Sequence, residues 1–210
     1  MEIAILLYEQ MTALDAIGPY EVLRSMPGAQ VKFVAREKGI KQTDAGYALL
    51  NAEFGLDEVT SPDIVLVPGT SFPQAMIKDT AVHEWLRAVH ETTKWTTSVC
   101  TGALILGAAG LLKGLKATTH WLTLDVLQRF GAEPMKERFV REGKIITAAG
   151  VSAGIDMALT LAAIEFGDAV AESIQLMIEY DPQPPFAAGS PDKAPAAIVE
   201  NLRRTQTIPS

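Results

Sequence analysis

Short apolar runs of strand length alternate along this chain with longer segments of helical pattern, and that alternation narrows the folds open to it more than any other feature. Ile3 to Leu7 reads as a buried first strand and Val31 to Ala35 as a second. Asp63-Ile64-Val65-Leu66-Val67 is the cleanest strand signal and is stopped by Pro68-Gly69-Thr70; Trp95 to Val99 is another short strand. Leu14 to Ser25 reads as a helix interrupted near its start by Gly18-Pro19, and Thr80 to Glu91 as a helix with Trp85, Leu86 and Val89 on one face. Tyr47 to Asn51 reads as an extended excursion. A small-residue helix is expected over Thr101 to Ala109 and a further helix over Trp121 to Phe130. Phe139 to Arg141 and Ile145 to Ala148 flank Glu142-Gly143 as a hairpin would, and Ala153 to Phe166 and Ala169 to Ile178 read as the last helices. Apolar strands separated by helices predict an α/β fold with a mostly parallel sheet covered on both faces. Ligands of such sheets sit beyond the carboxyl ends of the strands.

The 210 residues suit one α/β domain over 1–210, and a 48% hydrophobic composition suffices for its core. From about residue 181 to 197 the sequence is rich in Pro, Ala and Gly and reads as an ordered arm. With 18 basic and 25 acidic side chains the net charge is -7, which disfavours nucleic acid and anionic membranes as partners. The first residues, Met1-Glu2-Ile3-Ala4-Ile5-Leu6-Leu7-Tyr8, lack the basic start and small-residue cleavage site of a signal peptide. Nor is there a run of about 18 apolar residues that would span a membrane. The expected location is the cytoplasm. One cysteine and three histidines, His83, His90 and His120, make neither an internal disulfide nor a metal site, so no metal and no cofactor is expected.

The chemistry centres on Thr97-Ser98-Val99-Cys100-Thr101-Gly102-Ala103-Leu104. A buried strand runs into Cys100 and a small-residue helix leaves it, the layout of a nucleophile elbow without its Gly-x-Ser-x-Gly pattern. Unpaired N–H groups at a helix start favour an anion, so the thiol is expected to have a lowered pKa. The N–H of Thr101 is placed to stabilise an oxyanion. A buried structural cysteine fits position 100 equally well. Asp15, in Ala13-Leu14-Asp15-Ala16-Ile17-Gly18-Pro19, fits two roles: a helix cap, or an acid beside Cys100 with its pKa raised by burial. The loop Pro68-Gly69-Thr70-Ser71 offers further backbone N–H groups for an oxyanion hole, although a plain strand-to-helix turn explains it too. His120 stands as a general base or as a histidine with no role.

In order, these motifs resemble the ThiJ/PfpI superfamily. The segments that carry the resemblance are Leu14-Asp15-Ala16-Ile17-Gly18-Pro19, Ser98-Val99-Cys100-Thr101-Gly102, Leu106-Gly107-Ala108-Ala109-Gly110-Leu111-Leu112, Ala117-Thr118-Thr119-His120-Trp121, Ala153-Gly154-Ile155-Asp156 and Pro184-Pro185-Phe186 leading to Gly189-Ser190-Pro191-Asp192. Within the superfamily the pattern is most similar to the isonitrile hydratases. The resemblance implies a flavodoxin-like three-layer sandwich, akin to class I glutamine amidotransferase domains, that acts on a small-molecule isonitrile as a homodimer. Cys100 would be the nucleophile and Asp15 the proton donor, with Thr101 and Thr70 as backbone donors and His120, Gly69 and Gly102 near the site. Superfamily relatives also imply alternatives: a glyoxalase or deglycase, or a redox-responsive cysteine protein. Regulators that share the domain carry an added helix-turn-helix module, for which a chain stopping at Ser210 is expected to lack room. The family loop commonly reads Pro-Gly-Gly, and here the second Gly is Thr70. If that position needs a positive φ, a β-branched residue is strained there.

Overall fold

The chain opens with β1 (Glu2–Leu6), whose residues from Ile3 onward are fully buried, and passes through α1 (Ala13–Leu23) to β2 (Gln30–Ala35). A two-stranded antiparallel ribbon of β3 (Gly39–Gln42) and β4 (Leu49–Ala52) follows, then β5 (Phe54–Gly55) and the wholly buried β6 (Ile64–Val67). Next come α2 (Gln74–Ile77), α3 (Thr80–Thr92), β7 (Trp95–Val99) and α4 (Gly102–Ala108). The last part holds β8 (Lys116–Ala117), β9 (Glu133–Pro134), β10 (Phe139–Glu142), β11 (Ile145–Ala148), α5 (Ala153–Phe166), α6 (Asp168–Met177) and α7 (Ala196–Thr205). This computed structural model describes residues 1–206.

Seven strands form one sheet in the order β10-β11-β7-β6-β1-β2-β5. All neighbours run parallel except β10, which pairs antiparallel with β11 through the turn at Gly143 (φ +59°). Parallel strands buried on both faces need apolar side chains throughout, which β1 and β6 supply. Strand β7 is equally buried but carries three hydroxyls. Thr97 Oγ1 donates to the Val65 carbonyl at 2.9 Å, and Thr96 Oγ1 meets Thr93 Oγ1 at 3.0 Å and His90 Nδ1 at 2.8 Å. From β1 the chain builds outward through β2 on one side and returns through β6 to the other. The reversal leaves a crevice at the carboxyl ends of β1 and β6, the usual ligand position in such sheets.

Two expectations need correction. Helix α1 continues through Gly18-Pro19 without interruption. Pro19 lacks the N–H for one helix bond and its ring crowds the preceding turn, yet the helix holds with that ring packed against Gly154, where an added Cβ would stand 2.8 Å from Pro19 Cγ. Segment Trp121–Phe130 is helical as expected but in the tighter 3-10 form, closed by Gly131 at φ +75°. Beyond the Pro-rich segment lies α7, an amphipathic helix whose Val199 is buried and for which no expectation was formed.

Candidate functional site

Cys100 stands between β7 and α4 at φ +57°. A side chain in left-handed backbone costs roughly 1–3 kcal/mol, so surrounding bonds must impose it. The Cys100 N–H is shared between the carbonyls of Ala148 (3.0 Å) and Ala149 (3.1 Å) at the end of β11, and its carbonyl accepts the Thr119 hydroxyl at 2.8 Å. Gly102 completes the turn, because a Cβ there would overlap the Val67 carbonyl oxygen. Only a glycine lets α4 start this close to β6.

Asp15 lies in the first turn of α1, three residues beyond the Thr12 cap, and is fully buried. Asp15 is therefore not the cap; Thr12 holds that position, with no side-chain bond to the helix N–H groups. Asp15 Oδ2 accepts the Gly69 N–H at 2.9 Å, and Oδ1 is buried with no partner of regular hydrogen-bond geometry. Burial raises the carboxyl from 3.8 to about 7; the Gly69 N–H and the Cys100 thiol pull it back, and the Asp44 charge adds to the rise. Gly69 is held as tightly as Gly102: a Cβ would stand 2.5 Å from Thr101 N, 2.7 Å from Thr101 Oγ1 and 2.9 Å from Asp15 Oδ2. Gly69 thus lets the acid and the turn after Cys100 meet across one residue.

The thiol is only 5% exposed. Burial pushes its pKa well up, and the negative Asp15 pushes further, while the N–H and hydroxyl of Thr101 pull it down. This reverses the expected lowering. A helix terminus is worth about 0.3–1 kcal/mol to a nearby charge, less than one pKa unit, and α4 has only seven residues. Desolvation beside an acid outweighs it. Asp15 and Cys100 therefore act on each other as one coupled pair, with the proton favoured on sulfur when the carboxylate is ionised.

Thr70 differs from expectation in both respects. Its backbone is not in the left-handed region, so threonine is unstrained there. Its N–H donates to Thr101 Oγ1 at 2.7 Å, and that hydroxyl returns a 2.7 Å bond to the Thr70 carbonyl. The Thr70 N–H is thereby occupied in locking Thr101. The Thr101 N–H acts to lower the pKa of the thiol. His120 lines the same cavity as Cys100, but its ring caps the 3-10 helix, with Nδ1 accepting the Leu122 N–H at 3.4 Å. Burial lowers its pKa, and it is absent from the groups acting on the thiol.

Cys100 and Thr101 open onto a cavity of about 480 Å³. Phe72, Trp121, Leu122, Val151 and Leu202 supply apolar lining, and Thr12, Asp44 and Ser71 polar lining. Helix α7 contributes Leu202 and Thr205, and Arg203 lies 5.8 Å over the Trp121 ring. Among the described residues no group of three or more His, Cys, Asp or Glu could hold a metal, and no helix is long and apolar enough to cross a membrane.

The model of the DJ-1/PfpI family matches residues 1–164. The chain belongs to the DJ-1/PfpI family. Among its relatives is an isonitrile hydratase of Pseudomonas putida, 41% identical over 204 residues that cover 97% of this chain and 89% of that one. The Pyrococcus furiosus deglycase PfpI is 27% identical, over 70% of this chain and 89% of its own. A crystal structure of a ThiJ/PfpI family protein from Pseudomonas syringae superposes with a TM-score of 0.92 at 39% identity, over 98% of this chain and 87% of that one. The flavodoxin-like layering expected from the sequence is thus the fold of this DJ-1/PfpI chain.

Sequence reasoning missed parts of this family site. Tyr8 is buried, donates to the Pro68 carbonyl at 2.7 Å, and has its pKa raised by burial and by the charges of Asp15 and Cys100. Asp44, Phe72 and Trp121 line the cavity, and Thr119 holds the Cys100 carbonyl. The tyrosine immediately after an apolar strand is the one signal that could have drawn attention to Tyr8. Thr119 and Trp121 stand in the Thr118-Thr119-His120-Trp121 motif, which marked the segment but not their roles, and nothing local marks Asp44 or Phe72.

Proposed function

We propose that this protein hydrates an isonitrile to an N-substituted formamide through a covalent thioimidate on Cys100. The coupled Asp15–Cys100 pair at the elbow supports the reading most directly, since the reaction needs a nucleophile and a proton at one carbon. Resemblance to the Pseudomonas putida enzyme over nearly the whole chain supports it too.

The resting thiol transfers its proton to ionised Asp15 as sulfur bonds to the terminal carbon of R–N≡C. Asp15 then delivers that proton to the same carbon, giving R–N=CH–S–Cys100. Asp15, again ionised, takes a proton from water as the water oxygen adds to this carbon, and passes that proton to nitrogen. The C–S bond then breaks as the new hydroxyl gives up its proton, which Asp15 relays to sulfur, so that the thiol is restored and R–NH–CHO departs. An acid near pKa 7 serves both directions at neutral pH. The Thr101 N–H stabilises sulfur as it leaves, while Gly69, Gly102 and Thr70 hold the geometry. His120 has no step here. Phe72, Trp121 and Leu202 form an apolar seat suited to a hydrocarbon R.

Formamide release from a simple alkyl isonitrile tests the reading. Loss of about a hundredfold or more is expected in Cys100→Ala and in Asp15→Asn. Full activity in Cys100→Ala would end the covalent route, and full activity in Asp15→Asn the proton-transfer role. Turnover of methylglyoxal in preference to the isonitrile would favour the deglycase reading, which likeness to the Pyrococcus furiosus enzyme keeps in view. Association as a homodimer belongs to the same proposal. The exposed Leu176, Met177 and Phe186 are compatible with it, and light scattering checks it.

A further inference from the structure

The proposed mechanism uses Asp15, buried behind Cys100, and leaves without a role Asp44, the one acid that lines the cavity among the described residues. Asp44 lies in the turn between β3 and β4 and lines the cavity with Cys100. Its Oδ2 accepts the hydroxyls of Thr12 (2.7 Å) and Ser71 (3.1 Å), and its N–H donates to the Met11 carbonyl at 3.0 Å. The carboxylate is therefore fixed between the segment that starts α1 and the loop after β6. Its Oδ1 makes no hydrogen bond among the described residues.

No lysine or arginine lines the cavity among the described residues. Arg203 is directed onto the ring of Trp121, and burial keeps His120 toward its neutral form. The Asp44 charge is felt at the reacting pair, where it opposes ionisation of Asp15. A substrate carboxylate in this cavity would face a fixed anion with no cation to offset it. An ammonium or hydroxyl group would find a free carboxylate oxygen.

We propose that Asp44 is a specificity-determining residue that makes this site select neutral or cationic substrates and reject carboxylates. The inference deepens the isonitrile reading by naming the charge class of R, and it rests on that reading for the substrate.

The test first uses the sole cysteine without any isonitrile. Alkylation of Cys100 by iodoacetamide and by iodoacetate is followed by intact mass, and a small free thiol alkylated in parallel gives the intrinsic reactivity of each reagent. Relative to that free thiol, Cys100 should prefer the neutral reagent by a further factor on the order of ten, the size of one like-charge contact in a partly solvated cavity. Asp44→Asn, or Asp44→Ser as a second variant, should remove most of that preference. The asparagine oxygen can still accept from Thr12 and Ser71. Loss of the Asp44 charge also favours ionisation of Asp15, which would itself repel iodoacetate, so the same ratio is measured in an Asp15→Asn background, where only the charge of Asp44 differs. Equal relative rates in the wild type, or an unchanged ratio in the folded variants, would overturn the proposal. Methyl isocyanoacetate and isocyanoacetate then form the matched substrate pair, the ester being preferred. Failure to turn over even the ester would count against the isonitrile reading, while the alkylation ratio still decides the role of Asp44.

Discussion

Replacing Asp15 with asparagine should stabilise this protein, and increasingly so as pH rises. The folded carboxyl titrates near 7 instead of 3.8, with burial the main cause. The folded state therefore holds a proton that the unfolded chain has lost, from about pH 4 up to about 7. Stability falls across that window as pH rises, because the unfolded chain binds fewer protons there. A shift of about three units, at 1.36 kcal/mol each, amounts to about 4 kcal/mol lost once Asp15 is fully ionised. Between pH 5 and pH 8 the share is about 2.5 kcal/mol, since part of the loss has occurred by pH 5. Asparagine keeps an oxygen for the Gly69 N–H and carries no charge, so Asp15→Asn escapes this loss. Urea unfolding of both proteins at pH 5 and pH 8 gives the difference of differences, which removes every other titrating group the two share. At a typical urea slope the relative midpoint should move by roughly 1 M in favour of Asp15→Asn. Parallel pH dependences in the two proteins would refute the reasoning, for the carboxyl would then be solvated or paired in the folded state.

Other substitutions probe the frame around the pair. Cys100→Gly should be about 1 kcal/mol more stable than Cys100→Ala, because only glycine is unstrained at φ +57°; equal thermal midpoints would speak against strain at the elbow. Gly102→Ala should lose about 3 kcal/mol or more, since its methyl overlaps the Val67 carbonyl, and an unchanged melting temperature would contradict that close approach. Thr101→Val leaves the buried Thr70 N–H without its acceptor and should cost about 1–3 kcal/mol in chemical denaturation, with Thr101→Ser recovering most of it.

The parallel sheet was legible because burial on both faces forces continuous apolar runs, as in Ile64–Val67. The positions of Cys100, Asp15 and Gly102 were legible because strand ends and helix starts are local events. The sign of the Cys100 shift was not. A helix start can be read from sequence, whereas burial beneath neighbouring elements and an acid 85 positions earlier in the chain (residue 15 against residue 100) arise only on folding. The occupied Thr70 N–H escaped notice for a like reason: its acceptor, Thr101 Oγ1, lies 31 residues away. Asp44 and Phe72 sit in segments whose local pattern is that of ordinary turns and loops, and only tertiary placement brings them to the cavity. Helix α7 was hidden by the proline-rich stretch before it and by its mostly exposed surface.

Because Leu202 and Thr205 wall the cavity onto which Cys100 opens, the two ends of this domain differ as points of attachment. Met1 leads into the amino end of β1, across the sheet from the elbow, and its amino group is bonded to the Gly28 carbonyl. A purification handle or fused partner joined there leaves the chamber clear. One joined behind α7 pulls on a wall of that cavity, and an activity measured with it reports the handle as well as the protein.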